Sequence, residues 1–143
     1  MKLHIITVGK PKLSYAKLGW EEYFGRLQHY HTVRVTHLAD KYAYDADKLI
    51  QATGDSYRIG LIIEGTELTS PQLAAFLDKK SFDEKELCFI IGGPEGLPST
   101  VQAAMDFQWS LSRLTLPHDL AMVTLAETLY RASTINAGQP YHK

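Results

Sequence analysis

Three places in the chain carry residue types at spacings that could do chemistry. The first is Phe89-Ile90-Ile91-Gly92-Gly93-Pro94-Glu95-Gly96, a short apolar run ending in three glycines, a proline and one carboxylate. Buried strands read as such runs, and glycines at their ends let backbone approach backbone or ligand without a Cβ in the way. In open α/β sheets ligands bind beyond the carboxyl ends of strands, so this loop stands where a small molecule would sit; a plain structural turn would use the same residues. The second place is Ser110-Leu111-Ser112-Arg113-Leu114-Thr115-Leu116-Pro117-His118, where hydroxyls alternate with leucines ahead of a helix start. Free N–H groups at such a start can donate to an anion or a carbonyl, while an edge strand with a polar outer face, the reading favoured by the segment alone, would also explain the alternation. The third is the ending Gln139-Pro140-Tyr141-His142-Lys143. Tyrosine stacks on a base, histidine accepts a proton near neutral pH and lysine meets phosphate, although chain ends are commonly frayed.

Other chemistries find little footing. Gly92 to Gly96 is neither G-x-G-x-x-G nor a phosphate loop with a following G-K-[ST], and Pro94 removes a backbone donor that phosphate cradling would use. NAD and ATP are thereby disfavoured, and a ligand held by backbone groups is preferred. The six histidines form no H-x-x-x-H or H-E-x-x-H pair, so no metal is expected. No G-x-S-x-G elbow is present.

The elements that must position these residues alternate. Strands are expected at Lys2 to Val8, Thr32 to Leu38, Tyr57 to Ile63 and Glu86 to Ile91, with one or two more between Gln108 and Leu116. Helices are expected at Ser14 to Tyr30, Asp45 to Thr53, from an N-cap at Ser70 through Leu77, at Pro98 to Asp106, and at Asp119 to Ile135 before Gly138 and Pro140. This alternation implies an α/β fold, a mostly parallel sheet with helices on both faces. With 143 residues, 45% hydrophobic and 22% charged, one domain over 1–143 is expected. Cys88, the only cysteine, excludes a disulfide framework. No signal peptide and no membrane span are evident, so a cytoplasmic location is expected. A net charge of −1 argues against indiscriminate nucleic-acid binding, although Lys2, Lys10, Lys12 and Lys17 leave room for a local basic patch.

Taken together, the glycine loop, the Ser-Leu-Ser-x-Leu-Thr-Leu-Pro-His segment, Glu127-Thr128-Leu129-Tyr130-Arg131-Ala132 and the Pro-Tyr-His-Lys ending resemble the RlmH family of SPOUT-class methyltransferases. The resemblance covers essentially the whole chain and is strongest from Ile90 onward. It implies a C-terminal trefoil knot, a homodimer, and methylation of N3 of a pseudouridine in 23S ribosomal RNA with S-adenosylmethionine. By resemblance the cofactor pocket includes Leu61, Gly93 and the run Ser112, Arg113, Leu114, Thr115, Leu116 and Pro117. The imide N3 must lose its proton as it attacks, which makes His142 the expected base, with Tyr141 positioning the ring and Arg131 or Lys143 holding phosphate. The stripe Leu120, Val123, Ala126 and Tyr130 is the expected source of a partner-facing surface. Two departures, a short stretch from Lys41 to Asp55 and Thr66 in place of a common lysine, bear on RNA docking rather than on the cofactor. A SPOUT enzyme acting on transfer RNA and a non-catalytic ribosome-binding module are the alternatives.

Overall fold

Period-two burial along the strands decides the layering. In the strand Glu86–Ile91 every residue after the first is buried, with Leu87, Phe89 and Ile91 in one apolar cluster and Cys88 and Ile90 in another. Such a strand must be central and covered on both sides. The computed structural model describes all of residues 1–143. Its elements run β1 (Lys2–Val8), α1 (Ser14–Leu27), β2 (Thr32–Leu38), α2 (Ala46–Ala52), β3 (Tyr57–Glu67), α3 (Ser70–Asp83), β4 (Glu86–Ile91), α4 (Ser99–Ala103), β5 (Phe107–Ser110) and α5 (His118–Asn136). All five strands are parallel, in the order β2-β1-β4-β3-β5. The larger cluster joins one sheet face to α1, α3 and α5, with Trp20, Leu77, Met122 and Leu129 buried in it. The smaller joins the other face to α2 and α4 through Leu49 and Val101. Full burial of each large aliphatic or aromatic side chain contributes about 1.5–3 kcal/mol before conformational entropy is charged against it.

Several boundaries depart from expectation for local reasons. The cap of α3 is Thr69 rather than Ser70: its hydroxyl accepts from Gln72 N–H while the Gln72 side chain accepts from Thr69 N–H, a reciprocal capping box with a proline in the first turn. Helix α1 stops at Leu27, whose carbonyl accepts from both Tyr30 and His31. Strand β5 ends at Ser110, so most of the expected strand through Leu116 is irregular. Ser110 Oγ donates to the Ser112 carbonyl and Ser112 Oγ accepts from Leu114 N–H, local bonds that compete with a ladder. The stripe on α5 is also spent mostly inside the subunit. Ala126 is fully buried, Val123 lies against Gly19 of α1, and Tyr130 packs on Tyr23 and Tyr30; Leu120 alone is exposed. No helix is long and apolar enough to cross a membrane.

One constraint places the functional end of the sheet. Strand β5 lies at the edge beside β3, yet α5 packs between α1 and α3. The start of α5 is fastened to the β1–α1 connection by the buried carboxylate of Asp119, which accepts from Lys12 N–H (2.9 Å) and Leu13 N–H (2.7 Å). Residues 111–117 must therefore cross the carboxyl ends of β3 and β4, about 14 Å at three strand spacings, within reach of seven extended residues.

Burial also sets a pH dependence. His31 is pushed down to about 4, chiefly by desolvation, while its Nε2 meets Ser133 Oγ at 2.9 Å. Because the folded state binds this proton more weakly than the unfolded state, stability is complete above about 6.5 and is lost as pH falls from there through 4. His31→Gln should flatten that part of the curve, as read from urea midpoints measured between pH 7.5 and 4.

Candidate active site

Beyond the carboxyl ends of β3 and β4 lies a cleft of about 450 Å³, within the range of small-molecule sites. Its first wall comes from an irregularity in β3. That strand pairs with β5 at Ile59, Gly60 and Leu61, then again only at Thr66 and Glu67, so residues 62–65 bulge out of the ladder. Gly65 permits the return, since a Cβ there would lie 2.7 Å from the backbone C and O of Gln108. The second wall is the glycine loop, residues 92–97. Here a Cβ on Gly92 would lie 2.6 Å from Gly96 C, and Gly96 sits at φ +79°. Both positions require glycine for the loop to close on itself. Gly93 lines the cleft, and its missing Cβ would lie 2.9 Å from Ala43, a residue that does not line it. Gln102 braces the loop by donating to the Leu97 carbonyl.

The crossing segment forms the third wall. Ser112, Leu114, Thr115 and Leu116 line the cleft with Leu61 and Gly93, so six of the eight expected cofactor residues are brought together. Arg113 and Pro117 are adjacent in a different sense. The Arg113 guanidinium turns outward, donating to Glu67 Oε1 (2.7 Å) and the Ile63 carbonyl (2.6 Å), and so clamps the crossing segment to the β3 bulge. Pro117 is the N-cap residue of α5, its carbonyl accepting from Ala121 N–H. His118, which the sequence placed in the second segment without a role in the pocket, and Ala121, which it did not single out, also line the cleft. His118 Nε2 is buried without a partner, and desolvation foremost lowers that ring's pKa. The lining holds two carboxylates, Glu64 and Glu95, and neither lysine nor arginine. That charge suits a ligand with cationic character and opposes a polyphosphate.

The expected catalytic groups lie elsewhere. Arg131 is thirteen residues along α5 from His118, roughly 20 Å at the helical rise. Tyr141 and His142 join it there, because the tail folds back on the helix: Gln139 N–H donates to the Thr134 carbonyl after Gly138 at φ +69°. Glu127 Oε1 accepts from Arg131 and from the Tyr141 hydroxyl at 3.1 Å, and Arg131 Nη1 lies 3.2 Å from His142 Nδ1. The Tyr141 ring packs edge-on against Tyr130 and beneath the Arg131 guanidinium. Desolvation first, then hydrogen bonding to Tyr23 and the Glu127 charge, raises the Tyr141 phenol well above its ordinary value. The i, i+4 spacing of Glu127 and Arg131 is a signal that could have paired them, but no local pattern links Glu127 to the tail.

A family profile described as "Predicted SPOUT methyltransferase" matches residues 1–142. This chain belongs to the SPOUT methyltransferases. It is 48% identical, over the full length of both chains, to "Ribosomal RNA large subunit methyltransferase H" of Deinococcus deserti. The Bacillus pumilus protein of the same name is 39% identical, again over the full length of both. A solved structure of a probable methylase family protein from Haemophilus influenzae matches with TM-score 0.56 at 12% identity, covering 99% of this chain and 70% of that one, a likeness of fold alone.

The geometry of the SPOUT cleft gives a direct test of its glycine loop. Gly93→Val would drive a branched side chain into Ala43 and displace the loop from the cleft. Calorimetry should show S-adenosylmethionine binding at least tenfold weaker, about 1.4 kcal/mol. Unchanged affinity in a folded variant would reduce the loop to a turn.

Proposed function

We propose that this SPOUT enzyme methylates N3 of a pseudouridine in 23S ribosomal RNA, acting on the assembled ribosome in the cytoplasm. The observation that carries the reading is the pairing of an acid-lined, cation-free cleft at the strand ends with a separate Glu127–Arg131–Tyr141–His142 cluster suited to a base. The names of its full-length relatives support the large-subunit RNA as substrate. A net charge of −1 fits recognition of a shaped ribosome better than capture of naked RNA by counterion release.

S-adenosylmethionine is the cofactor, and bound it supplies a methyl group already activated on a sulfonium. The residues present fit it. Glu64 and Glu95 favour its positive charge; Leu61, Leu114 and Leu116 offer apolar contact; Gly93, Ser112 and Thr115 offer backbone and hydroxyl groups, and no metal is called for. Arg113 and Pro117 serve the same pocket from outside, one by clamping the crossing segment and the other by starting α5. We read that crossing segment as the threaded part of the knot that the family resemblance implies.

Arg131 lies roughly 20 Å along α5 from His118 of the cleft, and the side chains of the tail cluster bond one another rather than any residue of the cleft lining. We infer a homodimer in which the tail of one subunit completes the cleft of its partner. Exposed apolar side chains stand where α1 and α5 begin, Leu13, Tyr15, Leu18 and Leu120, and Leu114 is exposed on the crossing segment. A twofold pair is the simplest way to cover them.

Ribosomes from a strain lacking this protein, incubated with it and labelled cofactor and mapped by mass spectrometry, should carry label in 23S RNA; label only in transfer RNA would overturn the substrate. For the shared site, Gly93→Val and a chain lacking residues 141–143 should each be inactive alone. Mixed after unfolding and refolding together, they should regain roughly a quarter of wild-type activity, since half the twofold dimers would be mixed and hold one intact site of two. No recovery would place each site within one subunit.

A further inference from the structure

The contact between Arg131 and His142 fixes more than position. A guanidinium has only donors, so at 3.2 Å the Arg131 Nη1 group donates and His142 Nδ1 accepts. A neutral imidazole that accepts at Nδ1 carries its proton at Nε2. The atom that His142 offers outward is then an N–H donor, and the lone pair needed by a general base is the one already occupied. Arg131 is itself not free to turn away. Glu127 Oε1 holds its Nε at 2.9 Å and its Nη2 at 2.6 Å, and the Arg131 Cζ lies over the Tyr141 ring, 4.8 Å from the centroid, while the Tyr141 hydroxyl donates to the same carboxylate oxygen. With side chains only 22% and 29% exposed, the Glu127–Arg131 pair is more sheltered than any other ion pair in the structure.

We propose that Glu127 is a positioning residue that acts through Arg131 to hold His142 as an Nε2–H donor toward a carbonyl oxygen of the target imide, in place of the general-base role expected from the sequence. This inference rests on the reading that the tail serves the methylated base. The imide anion spreads its charge onto the two flanking carbonyl oxygens, so a donor aimed at one of them stabilises the anion without removing the proton itself. As the bond from N3 to the methyl carbon forms, the carbon–sulfur bond breaks with its electron pair left on sulfur, and the N3 proton passes to solvent water. His142 keeps its own proton throughout. Tyr141, its phenol pKa raised, likewise stays protonated and orients the ring rather than acting as a base.

Two measurements on the full-length protein test this. A glutamine at 142 can donate through its amide but cannot act as a base at neutral pH. His142→Gln should therefore retain methylation of ribosomes to within roughly tenfold, while His142→Ala loses on the order of 10²-fold. Equal inactivity of the two would overturn the donor role. Long-range ¹H–¹⁵N spectra of histidine-labelled protein without RNA, with the His142 ring identified by its absence from His142→Gln, should show the Nε2–H tautomer above pH 8. Glu127→Gln should erode that tautomer preference and lower kcat on the order of tenfold or more, with S-adenosylmethionine affinity unchanged. An Nδ1–H ring in the wild type, or a tautomer indifferent to Glu127→Gln, would sink the proposal. If removal of residues 141–143 left methylation at its normal rate, the underlying reading of the tail would fail, a result distinct from either of these.

Discussion

The crossing of residues 111–117 over the ends of β3 and β4 is the constraint on which the rest of the structure turns. It follows from two anchors that pull in opposite directions. Strand β5 is hydrogen-bonded at the sheet edge, while Asp119 ties the start of α5 to the β1–α1 connection three strand positions away. The chain between them has to pass where the strands end, and backbone has to lie close to backbone along the way. Glycine is present where a side chain would block the neighbouring chain: Gly65 against Gln108 and Gly92 against Gly96 and Leu97. The cleft is the space left between these close approaches. Its walls are three loops fixed at both ends, with Arg113 clamping one to another and Gln102 bracing the third. Loops so restrained lose little entropy when a ligand binds, which is the physical advantage of assembling a site this way.

The charge distribution divides labour along α5. At its beginning the cleft presents carboxylates and no cation, suited to a positively charged donor of a methyl group. Toward its end, Arg131 and His142 meet beside Tyr141, and the guanidinium gives this end the cation that the cleft lacks. A net charge of −1 conceals this separation, and a helix of nineteen residues keeps the two ends from neutralising each other. Screening by salt acts within about 10 Å at ordinary ionic strength, so charges at the two ends are electrostatically independent. The near-neutral total and the two distinct local environments are therefore compatible, and each end can be tuned without disturbing the other.

Legibility in the sequence followed the range of the interactions concerned. The strands β1, β2 and β4 were read at their observed ends, because apolar runs and period-two alternation are properties of consecutive residues. The start of α3 was misplaced by one residue, since Thr69 and Ser70 are both good caps and only the reciprocal bond with Gln72 chooses between them. The stretch after Ser110 has the alternation of a strand but not its conformation, because serine hydroxyls satisfied the local backbone and the next strand partner was already passed. The stripe on α5 was read correctly as apolar, yet its destination inside the subunit, against Gly19, Tyr23 and Tyr30, depends on which helices lie beside it.

By itself the sequence determined the layered α/β class, the central apolar strand and the family resemblance, and it singled out the glycine loop, the 110–118 segment and the tail as places where chemistry could be done. These rest on local patterns and on motifs whose residues are adjacent in the chain. Only the tertiary structure decided what those positions could do together. It set Leu61, Gly93 and Ser112 to Leu116 around one cleft, turned Arg113 outward, and added His118 from the start of a helix. It also put Arg131, Tyr141 and His142 at the other end of α5 and bound them through Glu127, a residue whose importance is invisible until the tail folds back. The reason is physical. Which nitrogen of a histidine carries its proton, or whether two groups can reach one substrate, depends on distances between residues far apart in sequence, and those distances exist only in the folded chain.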